Sequence, residues 1–171
     1  KMNSGAYGAE VADILISAKF IDDRGNEFDS NLSDICYGYR SSNISDHMIC
    51  ISATIKGSIV NREEIIQEIN RHKKHRNSAQ PVKERTGGST FKNPINVKAW
   101  KLIRDADCLG LSSGDAVISG LHANFIINRG NATAHDIELL GEKIKKRVKE
   151  KTGIDLEWEI RRIGNGPKVE L

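Results

Sequence analysis

Residues 133–151 constrain the fold more than any other part of the 171-residue chain. Thr133 can cap a helix, and Asp136 favours the positive end of the helix dipole. Apolar residues recur at spacings of three and four and therefore share one face: Ile137, Leu140, Ile144 and Val148. Gly153 stands where a C-cap glycine belongs. We predict an amphipathic helix with both ends defined by its own sequence.

Strands surround this helix in the sequence. We predict strands over residues 11–22, 48–55, 122–128 and 154–161. The last alternates: Leu156, Trp158 and Ile160 point one way, while Glu157, Glu159 and Arg161 point the other. A helix should follow Asn61, with an apolar stripe of Ile65, Ile66 and Ile69, and a shorter one should cover residues 97–106, with Trp100 and Ile103 inward. The pattern is α+β or α/β, with a junction between two units near residues 77–83.

Composition excludes several classes of protein. Hydrophobic residues make up 38% and charged residues 29%, which is typical of a globular domain. Apolar runs stay below the roughly 18 residues that cross a bilayer. A net charge of +3 does not by itself call for nucleic acid. Cys36, Cys50 and Cys108 are odd in number and widely spaced, so we expect no disulfide framework, no zinc site and a reducing compartment.

The loop at Gly87, Gly88 and Ser89 is the first candidate for chemistry. Adjacent glycines allow backbone angles that expose a following hydroxyl. Ser89 can act as a nucleophile, a proton donor or only a turn residue. The Gly-x-Ser-x-Gly pattern of hydrolases is not present around it, so proton donation fits better than attack.

Five other groups allow both a functional and a structural interpretation. Glu159 and Arg161 can stabilise an enolate or form a surface ion pair. Residues 39–42, Tyr-Arg-Ser-Ser, can clamp an anion or form a surface turn. The basic run at residues 71–76, with His72 and His75, fits a solvated helix end better than a metal or phosphate site, and His122 fits a core histidine. Residues 5–8 are not a dinucleotide fingerprint, although their amides can approach a phosphate.

Six segments in order resemble one family, the UDP-N-acetylenolpyruvoylglucosamine reductases (UDP-N-acetylmuramate dehydrogenases) of bacterial peptidoglycan synthesis. They are NSGAYG at 3–8, YRSS at 39–42, QP at 80–81, GGSTFKNP at 87–94, HANFIIN at 122–128 and LEWEIRRIG at 156–164. The lack of a tyrosine-bearing insertion before Gly87 resembles the shorter, second type of this enzyme. Because the chain opens on a glycine-rich turn, we expect it to be the back part of a longer protein.

The resemblance implies a fold and a reaction. It implies the end of a PCMH-type FAD-binding subdomain over residues 1–57, a connecting helix over 58–78 and an α/β C-terminal substrate-binding domain over 79–171. NADPH would reduce bound FAD, and UDP-N-acetylglucosamine enolpyruvate would then be reduced to UDP-N-acetylmuramate. We expect a monomeric cytoplasmic protein without nucleic-acid, membrane or metal partners, inactive as this piece alone.

The resemblance also implies a role for each matching residue. Ser89 would give a proton to C2 of the enolpyruvyl group, while Arg40 and Glu159 would stabilise the enolate. Substrate would also contact Tyr39, Lys92, Asn93 and Arg161. Flavin would be lined by Asn3, Gly5, Ala6, Tyr7 and Gly8.

The chain departs from the family pattern at three places. Asp107 and Asp115 stand where glycines are usual, and Leu121 stands where a polar residue often precedes the histidine. Two alternatives to the reductase are a non-catalytic nucleotide-sugar-binding module and a basic domain that associates with nucleic acid through residues 71–76. Salt-sensitive binding to nucleic acid would distinguish the second of these.

Overall fold

The computed structural model describes residues 1–164. The chain divides into two compact units, with unit 1 covering Lys1–His72 and unit 2 beginning at Lys73. The predicted domain boundaries remain a prediction, and the last part of the predicted third region, residues 165–171, lies outside the described residues. None of the helices in residues 1–164 is long and apolar enough to cross a membrane.

Unit 1 is built on a three-stranded antiparallel sheet in the order β4–β3–β5. A two-stranded hairpin and a single helical turn precede it, and a long helix follows it. The elements are β1 Gly5–Ala6, β2 Ala9–Glu10, α1 Val11–Ile14, β3 Leu15–Ile21, β4 Glu27–Asn31, a 3₁₀ turn Leu32–Asp34, β5 Ile49–Ile55 and the start of α2 Arg62–Ala79.

The strand predicted over residues 11–22 is wrong at its beginning, because Val11–Ile14 form the helical turn α1. Local side-chain hydrogen bonds favour this turn over extended backbone. Glu10 N donates to Asp13 Oδ2 at 2.7 Å, and Ala12 N donates to Asn3 Oδ1 at 3.0 Å. The remainder, β3, is a strand as predicted.

Helix α2 begins directly after Asn61, as predicted, and Glu63 N donates to Asn61 Oδ1 at 2.8 Å. Its apolar stripe is not buried in the described chain: Ile65, Ile66 and Ile69 are 45–46% exposed. The same holds for β5, which is exposed along its whole length. The core of unit 1 is small and consists of Leu15, Ala18, Phe20 and Ile35.

Unit 2 packs two helices against a four-stranded antiparallel sheet in the order β6–β9–β8–β7. Its core contains Ile103, Ile126, Leu140, Ile144 and Val148, which come from both helices and a central strand. The elements are β6 Thr86–Ser89, α3 Ala99–Asp105, β7 Ser112–Ser113, β8 Ala116–Ile118, β9 Phe125–Asn128 and α4 Ala134–Thr152. Antiparallel sheets with helices confirm the predicted α+β class in its broad form.

Helix α4 confirms the strongest prediction from the sequence. Asp136 N donates to Thr133 Oγ1 at 3.1 Å, and Thr133 N donates to Asp136 Oδ2 at 2.8 Å, so a capping box closes its N-terminus. Gly153 has φ +74° and donates its N–H to Lys149 O at 2.8 Å. Leu140, Ile144 and Val148 are buried.

The strand predicted over residues 154–161 is wrong. This segment forms one isolated bridge, between Phe91 and Trp158, and no ladder. Leu156 is buried and Glu157 is exposed, as the alternation requires. However, the segment does not lie between two strands: on one side its side chains contact α4.

Two further expectations in unit 2 are wrong in part. Trp100 is 36% exposed rather than inward, since Ala99, Leu102 and Ile103 form the buried face of α3. The strand predicted over residues 122–128 is limited to β9, because Ser119 Oγ accepts hydrogen bonds from Leu121 N and His122 N, each at 3.2 Å. Residues 123–127 are buried, as predicted.

Candidate functional site

Ser89 ends strand β6, which pairs antiparallel with β9 so that Ser89 lies opposite Phe125. The register shifts between Thr86 and Ser89, and Gly88 adopts φ +90°, a conformation that favours glycine. A Cβ on Gly87 would lie 3.1 Å from Ile160 Cδ1. Gly88 therefore allows the bulge, and Gly87 allows the close contact with Ile160. Together they fix the direction of the half-buried Ser89. Within residues 1–164 the Ser89 hydroxyl has no hydrogen-bond partner.

Glu159 lies on the segment that runs antiparallel beside the end of β6. Glu159 N donates to Thr90 O at 2.9 Å, and Lys92 N donates to Glu157 O at 2.8 Å. These bonds flank the Phe91–Trp158 bridge. The structure thus brings Ser89 and Glu159 onto adjacent, hydrogen-bonded segments, with Glu159 opposite the residue that follows Ser89.

Asn124 stabilises the segment that follows Ser89 through hydrogen bonds to Thr90 and Phe91. No role was predicted for Asn124 from the sequence. Its Oδ1 accepts from Phe91 N at 3.0 Å, its Nδ2 donates to Phe91 O at 2.8 Å, and its main-chain O accepts from Thr90 N at 2.8 Å. Asn124 is 4% exposed, so its amide replaces a strand partner for Phe91. The available signal was a single amide inside the apolar run of residues 123–127.

Lys92 and Asn93 both have structural partners. The Lys92 ammonium forms an ion pair with the Glu157 carboxylate. Asn93 Oδ1 accepts from Ala99 N at 3.0 Å and so ties the loop to the first residue of α3. Any contact of Lys92 with a substrate anion would compete with Glu157.

Arg161 is exposed and faces a different part of unit 2. It lines a cleft of about 560 Å³ between the first turn of α4 and residues 158–164, together with His135, Ile137 and Ile160. Ser89 and Glu159 are not among the described residues that line this cleft.

In unit 1, residues 5–10 form a hairpin whose geometry explains its sequence. Ala6 pairs with Ala9, and the two residues between them, Tyr7 and Gly8, have φ +56° and +84°. Positive φ at both positions is the signature of a type I′ turn. A Cβ on Gly5 would lie 2.9 Å from Glu10 Cβ. The glycine-rich turn predicted from the sequence is therefore a hairpin tip, with its glycines required by the backbone.

Tyr7 contacts His72, a residue of α2 within the same unit. Its ring stacks on His72 with centroids 4.0 Å apart and planes 5° apart, and its hydroxyl donates to His72 O at 3.2 Å. His72 Nε2 also lies 3.0 Å from Glu68 Oε1. His72 thus has local partners, and residues 1–164 contain no group of three or more His, Cys, Asp or Glu arranged to hold a metal.

The side chains of Asn3 and Arg40 connect the start of unit 1 to the turn at residues 38–41. Asn3 is 2% exposed, accepts from Ala12 N and donates Nδ2 to Gly38 O at 3.4 Å. Arg40 occupies the tight turn between Gly38 and Ser41, where its Nη2 donates to Gly5 O at 3.4 Å. The guanidinium lies 5.1 Å above the ring of Tyr39, a cation–π contact.

Left-handed backbone conformations concentrate in this part of unit 1. Asn3, Tyr7 and Arg40 have φ of +44°, +56° and +53°. In residues 1–164 the other non-glycine residues with positive φ are Asn96 and Asp107. Such conformations cost free energy and cluster at functional sites, which makes this turn and hairpin a candidate functional site of unit 1.

His122 behaves as a core histidine rather than a catalyst. Burial lowers its pKa, and its Nδ1 accepts from Asn124 N at 3.3 Å. The ring makes edge contacts with Phe125 and Trp100, at centroid distances of 4.7 and 6.5 Å. An imidazole that accepts at Nδ1 and is partly desolvated stays neutral at pH 7.

Residues 80–163 match the family model for the UDP-N-acetylenolpyruvoylglucosamine reductase, C-terminal domain. The curated UDP-N-acetylenolpyruvoylglucosamine reductase of Parvibaculum lavamentivorans is 48% identical over 164 residues, which cover 96% of this chain and 53% of that protein. The protein of the same name from Novosphingobium aromaticivorans is 46% identical over 96% of this chain and 55% of its own length. The chain spans about half the length of these relatives.

The structural comparison agrees with the sequence comparison. The crystal structure of UDP-N-acetylenolpyruvylglucosamine reductase from Thermus caldophilus has a TM-score of 0.79 and 34% identity to this chain. The match covers 93% of this chain and 57% of the Thermus chain.

Proposed function

From the premise that residues 80–163 belong to the UDP-N-acetylenolpyruvoylglucosamine reductase C-terminal domain family, we propose that this chain is the substrate-binding and protonating part of such a reductase. The resemblance seen in the sequence is confirmed by these comparisons. The proposed reaction of the complete protein is the reduction of the enolpyruvyl group of UDP-N-acetylglucosamine enolpyruvate to UDP-N-acetylmuramate. Assignment to the shorter, second type of the enzyme remains a prediction.

One observation carries the proposal: Ser89 and Glu159 lie on neighbouring segments joined by hydrogen bonds, and Glu159 lies opposite Thr90, the residue that follows Ser89. Reduction of an enolpyruvyl ether adds hydride to C3 and leaves negative charge on C2 and its carboxylate. That charge must be stabilised and C2 must receive a proton. A hydroxyl on one segment and a carboxylic side chain on its hydrogen-bonded neighbour would supply a proton donor and a group to stabilise the enol.

Arg40 would supply positive charge for the enolate. Its left-handed backbone and its bond to Gly5 O hold the guanidinium in one orientation within unit 1. A planar guanidinium pairs with a carboxylate through two parallel hydrogen bonds. Tyr39, whose ring lies beneath it, would contact the same end of the substrate.

The remaining proposed substrate residues lie in unit 2. Asn93, tied to the start of α3, and Lys92, paired with Glu157, would contact the nucleotide-sugar. Arg161, at the mouth of its cleft, would support Glu159 or contact substrate directly.

FAD would lie against the hairpin of unit 1, and NADPH would reduce it. The residues fit a main-chain surface: Gly5, Ala6, Tyr7 and Gly8 form an exposed hairpin tip, and nothing lies within 4 Å of a Cβ built on Gly8. Asn3 would act indirectly, because its amide already binds Ala12 N and Gly38 O. When bound, the flavin supplies the hydride for C3.

Unit 1 would be the end of a PCMH-type FAD-binding subdomain, and residues 79–171 the substrate-binding domain. We further propose a monomer in the bacterial cytoplasm that binds neither nucleic acid nor membranes. The basic run at residues 71–76 then belongs to the solvated second half of α2, where Arg76 in the last turn interacts favourably with the dipole.

The proposal is tested with the complete protein that contains this chain. A purified preparation should be yellow and should oxidise NADPH continuously, beyond the single equivalent that reduces the flavin, only when UDP-N-acetylglucosamine enolpyruvate is added. A colourless complete protein that still binds the sugar in calorimetry would support the alternative, a non-catalytic nucleotide-sugar-binding module.

A further inference from the structure

Gly141 lies in the middle of α4, where glycine has a high energetic cost. Glycine inside a helix is about 1 kcal/mol less favourable than alanine. A Cβ at this position would lie 2.0 Å from Cη2 and 2.5 Å from Cζ2 of Trp158. The indole ring of Trp158 therefore rests directly on the helix backbone, and only glycine leaves room for it.

Polar contacts fix the same ring at its other atoms. Trp158 Nε1 donates to Glu142 Oε1 at 2.8 Å, and the Arg162 guanidinium lies 5.1 Å from the ring centroid. Arg162 also forms an ion pair with Glu138 on α4 and lies 3.7 Å from Glu142 Oε1. Phe91 contacts the ring from the sheet side, with centroids 5.0 Å apart.

Trp158 directly precedes Glu159 on a segment that has no complete strand pairing. The main chain there is held by bonds to Thr90 and Lys92 on one side only. On the other side the segment is connected to α4 by the indole and by the ion pairs of Asp155 and Arg162, and of these contacts the indole is the one next to Glu159. The orientation of Trp158 therefore sets where the next residue, Glu159, projects.

We propose that Gly141, Glu142 and Arg162 are positioning residues that act through Trp158 to place the Glu159 carboxylate. This rests on the role proposed above for Glu159. Displacement of a reacting group by about 1 Å can cost about 100-fold in rate. The three residues touch no reacting atom and act only on the geometry of Glu159.

The first experiment uses Gly141→Ala, Trp158→Phe and the double variant in the complete reductase. Gly141→Ala should lower kcat for reduction of the enolpyruvyl sugar by at least about tenfold, because the added methyl displaces the indole. Reduction of the flavin by NADPH should keep its wild-type rate. Phenylalanine lacks the outer ring atoms that meet the methyl, so the double variant should be no slower than Trp158→Phe alone. Gly120→Ala is the matched control, since nothing lies within 4 Å of a Cβ there.

Glu142 offers a second test in case Gly141→Ala fails to fold. Glu142→Gln keeps an oxygen that accepts from the indole N–H, whereas Glu142→Ala removes it. Glutamine should therefore retain kcat and alanine should lower it. The proposal would be overturned if the double variant lowered kcat by the product of the two single effects. It would also be overturned if Gly141→Ala and Glu142→Ala folded and kept the wild-type kcat, with only a lower Tm.

A third readout does not depend on the proposed reaction. In the 171-residue chain, Gly141→Ala should shift two NMR signals, the Trp158 indole N–H and the Glu159 amide, while Gly120→Ala should shift neither. An unchanged Glu159 amide signal would overturn the positioning claim. A different result is that both NMR signals shift while the wild-type complete protein fails to reduce the sugar. That result would refute the proposed function and leave the connection between Gly141, Trp158 and Glu159 intact.

Discussion

At the scale of single residues, this chain places non-glycine residues at backbone positions with positive φ, where glycine is favoured. Arg40 has a positive φ at the second central position of a tight turn, which type II turns usually give to glycine or asparagine. Asp107 also has a positive φ of +52°. Its carboxylate pairs with Lys151, which lowers its pKa, and its carbonyl accepts from Arg147 Nη1 at 3.0 Å.

The strain at Arg40 gives a test that separates stability from function. Arg40→Gly should be more stable than Arg40→Ala by about 1 kcal/mol, because only glycine adopts a left-handed conformation without cost. Both variants lose the guanidinium and should lose most of the reductase activity. Urea denaturation measures the first effect and NADPH oxidation the second. Equal stabilities would show that the turn relaxes and that Arg40 is not strained.

Asn124 gives a second prediction at this scale. Asn124→Ala leaves the N–H and C=O of Phe91 without partners in the core, and each such loss costs about 1–3 kcal/mol. We therefore expect the free energy of unfolding to fall by about 2–4 kcal/mol, measured by urea denaturation. Asn131→Ala, at an exposed position, is the control and should change it by less than about 0.5 kcal/mol. A loss at Asn124 as small as the control's would contradict the role given to its amide.

At the scale of elements, the sequence predicts what local interactions determine. Helix α4 is predicted with both caps because Thr133, Asp136 and Gly153 act within a few residues of its ends. The segment at 154–161 alternates like a strand, yet its apolar positions are used to pack Leu156 into the core and Trp158 on α4. An alternating pattern of apolar and polar residues predicts which side chains are buried. It does not predict whether they pack against a strand or against a helix.

The capping box of α4 predicts a dependence on pH. The hydrogen bond from the Thr133 hydroxyl holds the pKa of Asp136 below its usual range. A carboxyl with a lower pKa in the folded state stabilises the fold fully above about pH 4 and loses that effect as the pH falls through the folded-state pKa. The Tm difference between wild type and Asp136→Ala should therefore be largest near neutral pH and shrink in acid.

The matched control for this series is Glu150→Ala, which removes an exposed carboxylate of the same helix outside the capping box. Its Tm difference from the wild type should not follow the same curve. A gap between wild type and Asp136→Ala that stays constant from neutral pH to well below pH 4 would show that the Asp136 carboxylate does not titrate with folding.

At the scale of the whole molecule, the two units differ in how much apolar surface they bury. Among residues 1–164, the core cluster of unit 2 has 14 buried residues and that of unit 1 has four. Strand β5 and the stripe on α2 remain exposed, although the sequence predicted a strand and an amphipathic helix there. Sequence patterns identify the apolar face of an element but not what covers it.

This asymmetry predicts different local stability in the two units. Amide hydrogens of β5 should exchange with solvent faster than those of β9 and α4, because few buried contacts oppose their opening. Hydrogen–deuterium exchange followed by mass spectrometry measures this directly on the 171-residue chain. Equal protection in β5 and β9 would contradict the inference that unit 1 has the weaker core.

The proposed catalytic pairing of Ser89 with Glu159 could also be predicted only in part. The order of short segments identified both residues, whereas Asn124, Gly141 and Trp158, which hold them, depend on contacts between segments distant in sequence. The role of Ser89 in the complete protein is the central claim, and stopped-flow spectroscopy tests it most directly. With Ser89→Ala, reduction of the flavin by NADPH should keep its wild-type rate, and reoxidation by UDP-N-acetylglucosamine enolpyruvate should be lost. Reoxidation at the wild-type rate, or slow reduction by NADPH instead, would contradict the account.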